Sequence, residues 1–367
     1  MQDLTQHPTV QKATFYKKLS NNKVQCTLCE RKCEIALGSK GFCKTRMNIN
    51  GELYTLVYGD ISAIESRPIE IKPFFHYWPG STALTFSTWS CNLNCVWCQN
   101  YHLSKLEPQP AKTIYYPPEK IVALALNYGD IGLCASFQEP TLLSEWAIQL
   151  FRLGKQKGIQ YCCYVSNGYM SLDVIKALFE AGMDGLKIDV KGDEEVYQKY
   201  CGGADVEKIW RNVREAKKLG LHVEIVNLVV SNVNDNEEAL AWIIEKHLKE
   251  AGADTPLHFT RYFPAYKFDN PPTKVQILEK AYEMAKKAGV LYPYVGNVSG
   301  HKYENTYCPN CGEKLIQRYE CYIMQYKVTK ENKCPKCATA IPITGEYIGN
   351  FRRGTFANVL KSLRYVA

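Results

Sequence analysis

No run of eighteen uncharged apolar residues occurs in the 367-residue chain, so no membrane-spanning helix is expected. The opening residues, Met1-Gln2-Asp3-Leu4-Thr5-Gln6, carry no hydrophobic signal region, and the expected location is cytoplasmic. No long internal repeat and no low-complexity linker interrupts the sequence. With 46% apolar residues, the chain is long enough for one large domain and one or two small ones. No G-x-G-x-x-G follows any strand-like segment, which removes the usual fingerprint of a dinucleotide-binding fold. His7, His76 and His102 have no motif partner; they read as solvated or core side chains rather than ligands.

Cysteine, by contrast, is plentiful. Sixteen of them in a cytosolic chain argue for metal or redox sites rather than disulfides. Three groups divide the sequence: Cys26, Cys29, Cys33 and Cys43; then Cys91, Cys95 and Cys98; then Cys308, Cys311, Cys334 and Cys337. The expected organisation is a cysteine-rich module over 1–80, a β/α barrel over 81–300, and a zinc-ribbon-like module with a tail over 301–367.

The middle group sits in Ser90-Cys91-Asn92-Leu93-Asn94-Cys95-Val96-Trp97-Cys98-Gln99-Asn100, a C-x3-C-x2-C spacing after the apolar stretch Thr82–Thr88. Iron–sulfur clusters are commonly held by four thiolates. Three would leave one iron of a [4Fe–4S] cube open, and an open position is what separates a catalytic from a structural metal site. Three buried cysteines or a zinc loop is the plainer alternative.

In the last group, Cys308-Pro309-Asn310-Cys311 and Cys334-Pro335-Lys336-Cys337 form two C-P-x-C turns, the second beginning 23 residues after Cys311. Each turn aims two thiolates at one point, and two turns make a tetrahedral S4 site. Zn²⁺ is the expected metal and rubredoxin-type iron its competitor, because S4 suits both. Four protein ligands close the site, which makes it structural. Cys26-x2-Cys29-x3-Cys33-x9-Cys43 lies in a short loop with Gly38 and Gly41. It reads as another closed site, with zinc and a second iron–sulfur cluster both open; such a cluster could pass electrons to the first. Cys134, Cys162 and Cys163 fall in core strands as ordinary thiols. Cys201, in Tyr200-Cys201-Gly202-Gly203, is a candidate hydrogen-atom donor.

From about Thr82 to Val295, strand-like and helix-like segments alternate. Apolar β-type runs occur at Thr82–Thr88, Gly132–Phe137, Ile159–Val165, Gly185–Val190, Leu221–Val230, Leu257–Phe263 and Val290–Val295. Between them, Leu142, Trp146, Leu150 and Leu153 recur at helical steps, as do Leu172, Ile175, Leu178 and Phe179. Gly158, Gly182, Gly220 and Gly289 mark helix ends. This alternation predicts an α/β fold with a parallel sheet, a partial or complete β/α barrel, with an open doubly wound sheet as the alternative. In a barrel the active site collects where strands exit. Those exits carry the Cys91 triad, Gln138-Glu139, Ser166-Asn167-Gly168, Asp189-Val190-Lys191, Val229-Val230-Ser231-Asn232 and Arg261-Tyr262. So many polar side chains at the exits favour a ligand site.

The triad, with the aromatic Trp97 before its third cysteine, resembles the signature of the radical S-adenosylmethionine (SAM) superfamily. The resemblance implies that the open iron chelates the amino and carboxylate groups of SAM. Reductive cleavage would then yield methionine and a 5′-deoxyadenosyl radical that removes hydrogen from a substrate. It also implies roles for the exits. Gln138-Glu139-Pro140 stands where the superfamily has "GGE", although neither glycine is present. Ser166, Asn167 and Gly168 look like the segment that meets the SAM ribose and carboxylate. Asp189 and Lys191 resemble an Asp-x-Lys of pyruvate formate-lyase activating enzymes, whose ammonium would balance the methionine carboxylate. Val229 is at the position whose backbone often meets the adenine. Further segments, Gly41-Phe42-Cys43, Arg261-Tyr262-Phe263-Pro264-Ala265-Tyr266, Val295-Gly296-Asn297-Val298 and Asn305-Thr306-Tyr307-Cys308, resemble the radical SAM member of the AmmeMemoRadiSam system. That resemblance nominates AMMECR1-like and Memo-like proteins as partners and leaves the substrate open; the expected activity is hydrogen abstraction from a protein or RNA substrate, with a reductant such as ferredoxin or flavodoxin.

The net charge is +8, from 45 Lys and Arg against 37 Asp and Glu. From Cys308 onward there are ten basic and four acidic residues, a balance that a Zn²⁺ bound by four thiolates would lower by two. A zinc-binding nucleic-acid adaptor is therefore the competing function. It predicts zinc without acid-labile sulfide and RNA affinity that falls steeply with salt.

Overall fold

Residues 4–349 are described in a computed structural model of the chain; the basic segment from Arg352 to Arg364 lies outside the described residues. Two small antiparallel sheets open the fold. One orders β1 (Gln11–Lys12), β6 (Glu52–Thr55) and β5 (Arg46–Ile49); the other orders β2 (Tyr16–Lys18), β3 (Val24–Cys26) and β4 (Glu34–Ile35). All seven apolar runs become strands of one larger sheet: β8 (Thr82–Ser87), β9 (Gly132–Ala135), β10 (Tyr161–Ser166), β11 (Gly185–Val190), β12 (His222–Val229), β13 (Leu257–Arg261) and β14 (Pro293–Gly296). They pair in parallel and in chain order. That order has no reversal point, which excludes the doubly wound alternative. An antiparallel strand, β7 (Ala63–Pro68), lies on the β8 edge and extends the sheet into the span read as the N-terminal module. β7 and β14 are the two sheet edges, so the barrel is partial.

The helices are α1 (Tyr101–Ser104), α2 (Pro118–Tyr128), α3 (Ser144–Gln156), α4 (Leu172–Glu180), α5 (Glu194–Tyr200), α6 (Val206–Lys218), α7 (Glu237–Glu250) and α8 (Val275–Ala288). Period two in the strands sorts their faces. Leu133, Cys162, Tyr164, Leu186, Ile188, Ile225 and Phe259 join helix residues such as Trp146, Leu178 and Trp210 in the main core. Cys134, Cys163 and Tyr161 instead join a second cluster with Phe74 and Tyr77. Cys134, Cys162 and Cys163 are fully buried, as their strand positions led one to expect. Gly132 is required where it stands, since a Cβ there would lie 2.1 Å from the Tyr161 ring.

The segment between β7 and β8 plugs the N-terminal end of the barrel. Tyr77 rings pack on Tyr161 and His222. Glu224, fully buried on β12, accepts from the backbone N–H groups of Phe75 (2.8 Å) and His76 (2.7 Å), and from His222 (3.0 Å) and His258 (2.7 Å). Burial opposes its charge, but the histidine hydrogen bonds outweigh it and hold the carboxyl below the ordinary range. His76 is thus a core histidine.

The remaining strands, β15 (Thr306–Tyr307), β16 (Lys314–Tyr319) and β17 (Tyr322–Tyr326), make the C-terminal antiparallel sheet. Buried Arg318 ties it to the plug, donating to the Phe75 carbonyl (2.8 Å) and to Thr306 Oγ1 (2.8 Å). The N-terminal module is tied by a buried bidentate pair: Arg46 Nη1 and Nη2 donate to Glu145 on α3 at 2.6 and 2.8 Å.

Candidate active site

At the C-terminal ends of the strands lies a cavity of about 940 Å³, where a barrel concentrates its chemistry. Cys91, Cys95, Trp97 and Cys98 line it, together with Gln138, Glu139, Ser166, Asn167, Asp189 and Lys191. The triad loop is held from several sides. Its entry residue, Ser90, has a positive φ of 71° and donates from Oγ to the Cys43 carbonyl at 2.6 Å. Asn94 and Val96 donate backbone N–H groups to the carbonyls of Cys201 (2.9 Å) and Tyr200 (3.0 Å). Trp97 is buried against Tyr200 and Phe268, each with ring centroids 5.4 Å away. Around the sulfurs, the Leu93 N–H points at Cys91 Sγ (3.3 Å), Asn167 Nδ2 lies 3.7 Å from the same sulfur, and Ser104 Oγ lies 3.1 Å from Cys98 Sγ.

Glu139 braces two exits at once. Its Oε1 accepts from the Thr141 N–H (3.0 Å), the Thr141 hydroxyl and Ser166 Oγ (2.8 Å), and its Oε2 accepts from the Asn167 N–H (2.8 Å). Burial nevertheless pushes its carboxyl above the ordinary value. Asn167 in turn donates to Asn92 Oδ1 at 2.8 Å. On the opposite wall Asp189 pairs with both Lys187 and Lys191, the latter at 3.4 Å. Burial works against the Asp189 charge, but the two ammoniums overcome it and keep the carboxyl low. Lys187 is shifted down by its burial, whereas at Lys191 burial is outweighed by Asp189 together with the thiols of Cys95, Cys201 and Cys98, and the ammonium is shifted up.

Two residues assigned from the sequence stand outside the cavity lining. Gly168 has φ +74°, and a Cβ there would meet Ile188 at 2.8 Å and Ile209 at 3.0 Å, so packing as well as conformation calls for glycine. Val229 is fully buried and its carbonyl accepts from Thr273 Oγ1; its neighbour Leu228 lines the cavity instead. Cys201 is also fully buried and absent from the lining, with its thiol against that of Cys95. Lys187 and Lys72 are lining residues that sequence reading missed. The signal for Lys187 was present: a charge two residues before Asp189 in an apolar strand shares its face. Lys72 sits 4.5 Å from the Phe137 ring, and nothing local in the sequence places the plug segment beside β9.

The chain matches the radical SAM superfamily model over residues 87–243. It is 40% identical, over 91% of its length and 99% of the other's, to the uncharacterized protein MJ0808 of Methanocaldococcus jannaschii. The chain belongs to the radical SAM superfamily. More distantly, it is 26% identical to a GTP 3′,8-cyclase of Thermodesulfovibrio yellowstonii, over 57% of this chain and 65% of that one. Among solved structures, a domain of a pyruvate formate-lyase activating enzyme from Bacteroides vulgatus aligns with 18% identity and a TM-score of 0.39, over 45% of this chain and 99% of that one.

Membership brings a [4Fe–4S] cluster and SAM, and the residues present fit both. Three cysteines face one cavity with N–H groups directed at sulfur. Both amide atoms of Gln138 are buried at that cavity without a protein partner, as expected of a side chain waiting for a ligand. Lining cations and acids of both signs suit a zwitterion: Arg67, Lys72, Lys187, Lys191 and Arg261 against Glu70, Glu139, Asp189, Glu304 and Glu320. Cys91, Cys95 and Cys98 would hold the cluster, which would supply the electron for reductive cleavage of SAM.

Away from the cavity, Cys308, Cys311, Cys334 and Cys337 converge with all four sulfurs within 4.8 Å of one another. The N–H groups of Gly312 and Ala338 close the two turns on the carbonyls of Cys308 (3.0 Å) and Cys334 (2.9 Å). The quartet can hold one metal ion. No helix among the described residues is long and apolar enough to cross a membrane.

Proposed function

We propose that the protein reductively cleaves SAM at the Cys91–Cys95–Cys98 cluster and uses the adenosyl radical to abstract hydrogen from a segment of a protein or RNA. The observation that carries this reading is the single cavity in which the three cysteines meet orphaned Gln138 and the Lys187–Asp189–Lys191 array. At about 940 Å³ it sits at the upper end for ligand pockets, near 1,000 Å³, and has room for a reacting residue beside SAM. Glu139, Ser166 and Asn167 position the SAM end nearest Cys91, and Lys191 balances its carboxylate. Phe263, exposed at the rim, offers an apolar contact to an incoming chain. A one-electron reductant of the ferredoxin or flavodoxin type supplies the electron, and Zn²⁺ at Cys308–Cys337 keeps the C-terminal sheet folded. The AmmeMemoRadiSam resemblance nominates AMMECR1-like and Memo-like proteins as partners. An adaptor that only bound nucleic acid would have no use for three charges paired inside a cavity at the strand exits.

The test is anaerobic reconstitution with iron and sulfide, followed by reduction with SAM present. Formation of 5′-deoxyadenosine and methionine is expected, with Cys95→Ala abolishing both. Deuterated cell extract should then return label to 5′-deoxyadenosine, and mass spectrometry of the extract's protein and RNA identifies the changed species. A protein that binds zinc alone and leaves SAM intact refutes the reading.

A further inference from the structure

The four N-terminal cysteines remain without a role, and the fold gathers them. Cys26, Cys29, Cys33 and Cys43, which span β3 to the start of β5, line one small pocket against α3's entry and the triad loop, with Arg46, Asn92 and Leu142 in its wall. Two buried donors in that wall have no oxygen acceptor. Asn92, fully buried, has its Oδ1 occupied by Asn167 (2.8 Å) while its side-chain amide is turned to the Cys29 sulfur. Arg46, 1% exposed, has Nη1 and Nη2 fixed by Glu145 and Leu142 while its Nε is free. Buried donors without an oxygen acceptor beside four thiols point to an anionic sulfur-rich occupant.

Spacing separates one ion from a cluster. Zn–S bonds of about 2.3 Å place tetrahedral thiolates roughly 3.8 Å apart. Cys308 and Cys337 (3.5 Å), and Cys311 and Cys334 (3.6 Å), meet that demand. Among the described residues theirs is the one group of side chains that converges in this way. The triad, which the superfamily assigns to a cluster, does not converge, and neither does the N-terminal quartet. A cube holds its thiolates on separate corners, so the wider sets suit it and the tight one suits an ion.

We propose that Cys26, Cys29, Cys33 and Cys43 hold a second [4Fe–4S] cluster, closed by four thiolates. Its place suits an electron relay. The Cys43 carbonyl accepts from Ser90, next to Cys91, and Asn92 stands between Cys91 and the quartet pocket. Arg31 braces the same contact by donating to the Asn92 carbonyl and to the Gly202 carbonyl. A one-electron donor of the ferredoxin or flavodoxin class reduces this cluster, and the same electron passes to the triad's cluster. Each step moves one electron and releases no proton or leaving group.

The test uses the full chain purified without oxygen, as wild type and as the triple variant Cys91→Ser, Cys95→Ser, Cys98→Ser. Iron, acid-labile sulfide and zinc are counted per chain, and electron paramagnetic resonance is recorded after reduction. Wild type is expected to carry about eight iron and one zinc. The triple variant should keep half of that iron, with matching sulfide and a cluster signal indifferent to SAM. A triple variant with two zinc ions and no iron, or with no metal beyond one zinc, overturns the proposal. Should that variant not fold, the wild-type spin count decides: two clusters, one of them SAM-responsive, support it, and one cluster overturns it. Wild type with four iron that still cleaves SAM removes this proposal and leaves the proposed function intact; a quartet cluster without SAM cleavage does the reverse.

Discussion

Replacing Glu139 separates a brace from a bystander. Its carboxylate satisfies two buried backbone N–H groups, those of Thr141 and Asn167, and two hydroxyls, of Thr141 and Ser166. Hydroxyls rotate to new partners, but the backbone groups cannot. In Glu139→Ala both N–H groups lose their acceptor at about 1–3 kcal/mol each, a loss of roughly 2–6 kcal/mol. At about 2–4 °C per kcal/mol for a large domain, the anaerobic unfolding midpoint should drop by roughly 4–24 °C. Glu139→Gln keeps the Oε1 side and turns an amide NH2 toward the Asn167 N–H, orphaning one group. It also removes a buried charge whose carboxyl is already pushed up by burial, so its cost should be the smaller. Because Asn167 also sits 3.7 Å from Cys91 Sγ, both variants should weaken SAM binding, seen as a raised KM for cleavage. An alanine variant within about 0.5 kcal/mol of wild type, or a glutamine variant less stable than the alanine one, would refute the bracing argument.

Gly132→Ala drives a Cβ into the Tyr161 ring, which packs on Tyr77 and Trp78; overpacking of about 1–3 kcal/mol or more is expected, read as a lower unfolding midpoint with the metal content unchanged. Cys311→Ser should lose the C-terminal metal, measured as one fewer zinc per chain, and loosen the sheet that Arg318 anchors. Lys191→Met leaves Asp189 one cation short and should raise the KM for SAM more than it lowers kcat. His76 and His247 are fully buried, and burial holds each near a pKa of about 3. Each stays neutral in the fold while the unfolded chain takes up a proton below pH ~6.5. Stability is therefore full above that pH and falls by about 1.4 kcal/mol per pH unit per histidine toward pH 3. His247→Gln should reduce that slope by one proton in urea denaturation measured from pH 7 to 5.

The chain's own residues determined the strands and the cysteine chemistry. Seven apolar runs with glycine-marked helix ends can form only alternating β and α segments, and spacing within twelve residues brings thiols together whatever surrounds them. For the same reason Cys91, Cys95 and Cys98, and the two C-P-x-C turns, were legible at once. Glu139, Ser166, Asn167, Asp189 and Lys191 were legible as strand exits, because a parallel β/α order sends every exit to one end. Partners distant in sequence decided the rest. The plug runs from Ile69 to Trp78, and only tertiary packing seats its Phe75 and His76 on Glu224, roughly 150 residues on. The same packing sets Lys72 on Phe137, fills Val229's carbonyl with Thr273, and removes Cys201 from the cavity. It also brings the N-terminal quartet against Asn92, where two buried donors without an oxygen acceptor now face its sulfurs. Local chemistry is written in short spacings. Which groups share a wall depends on how the sheet curls, and that depends on the whole core.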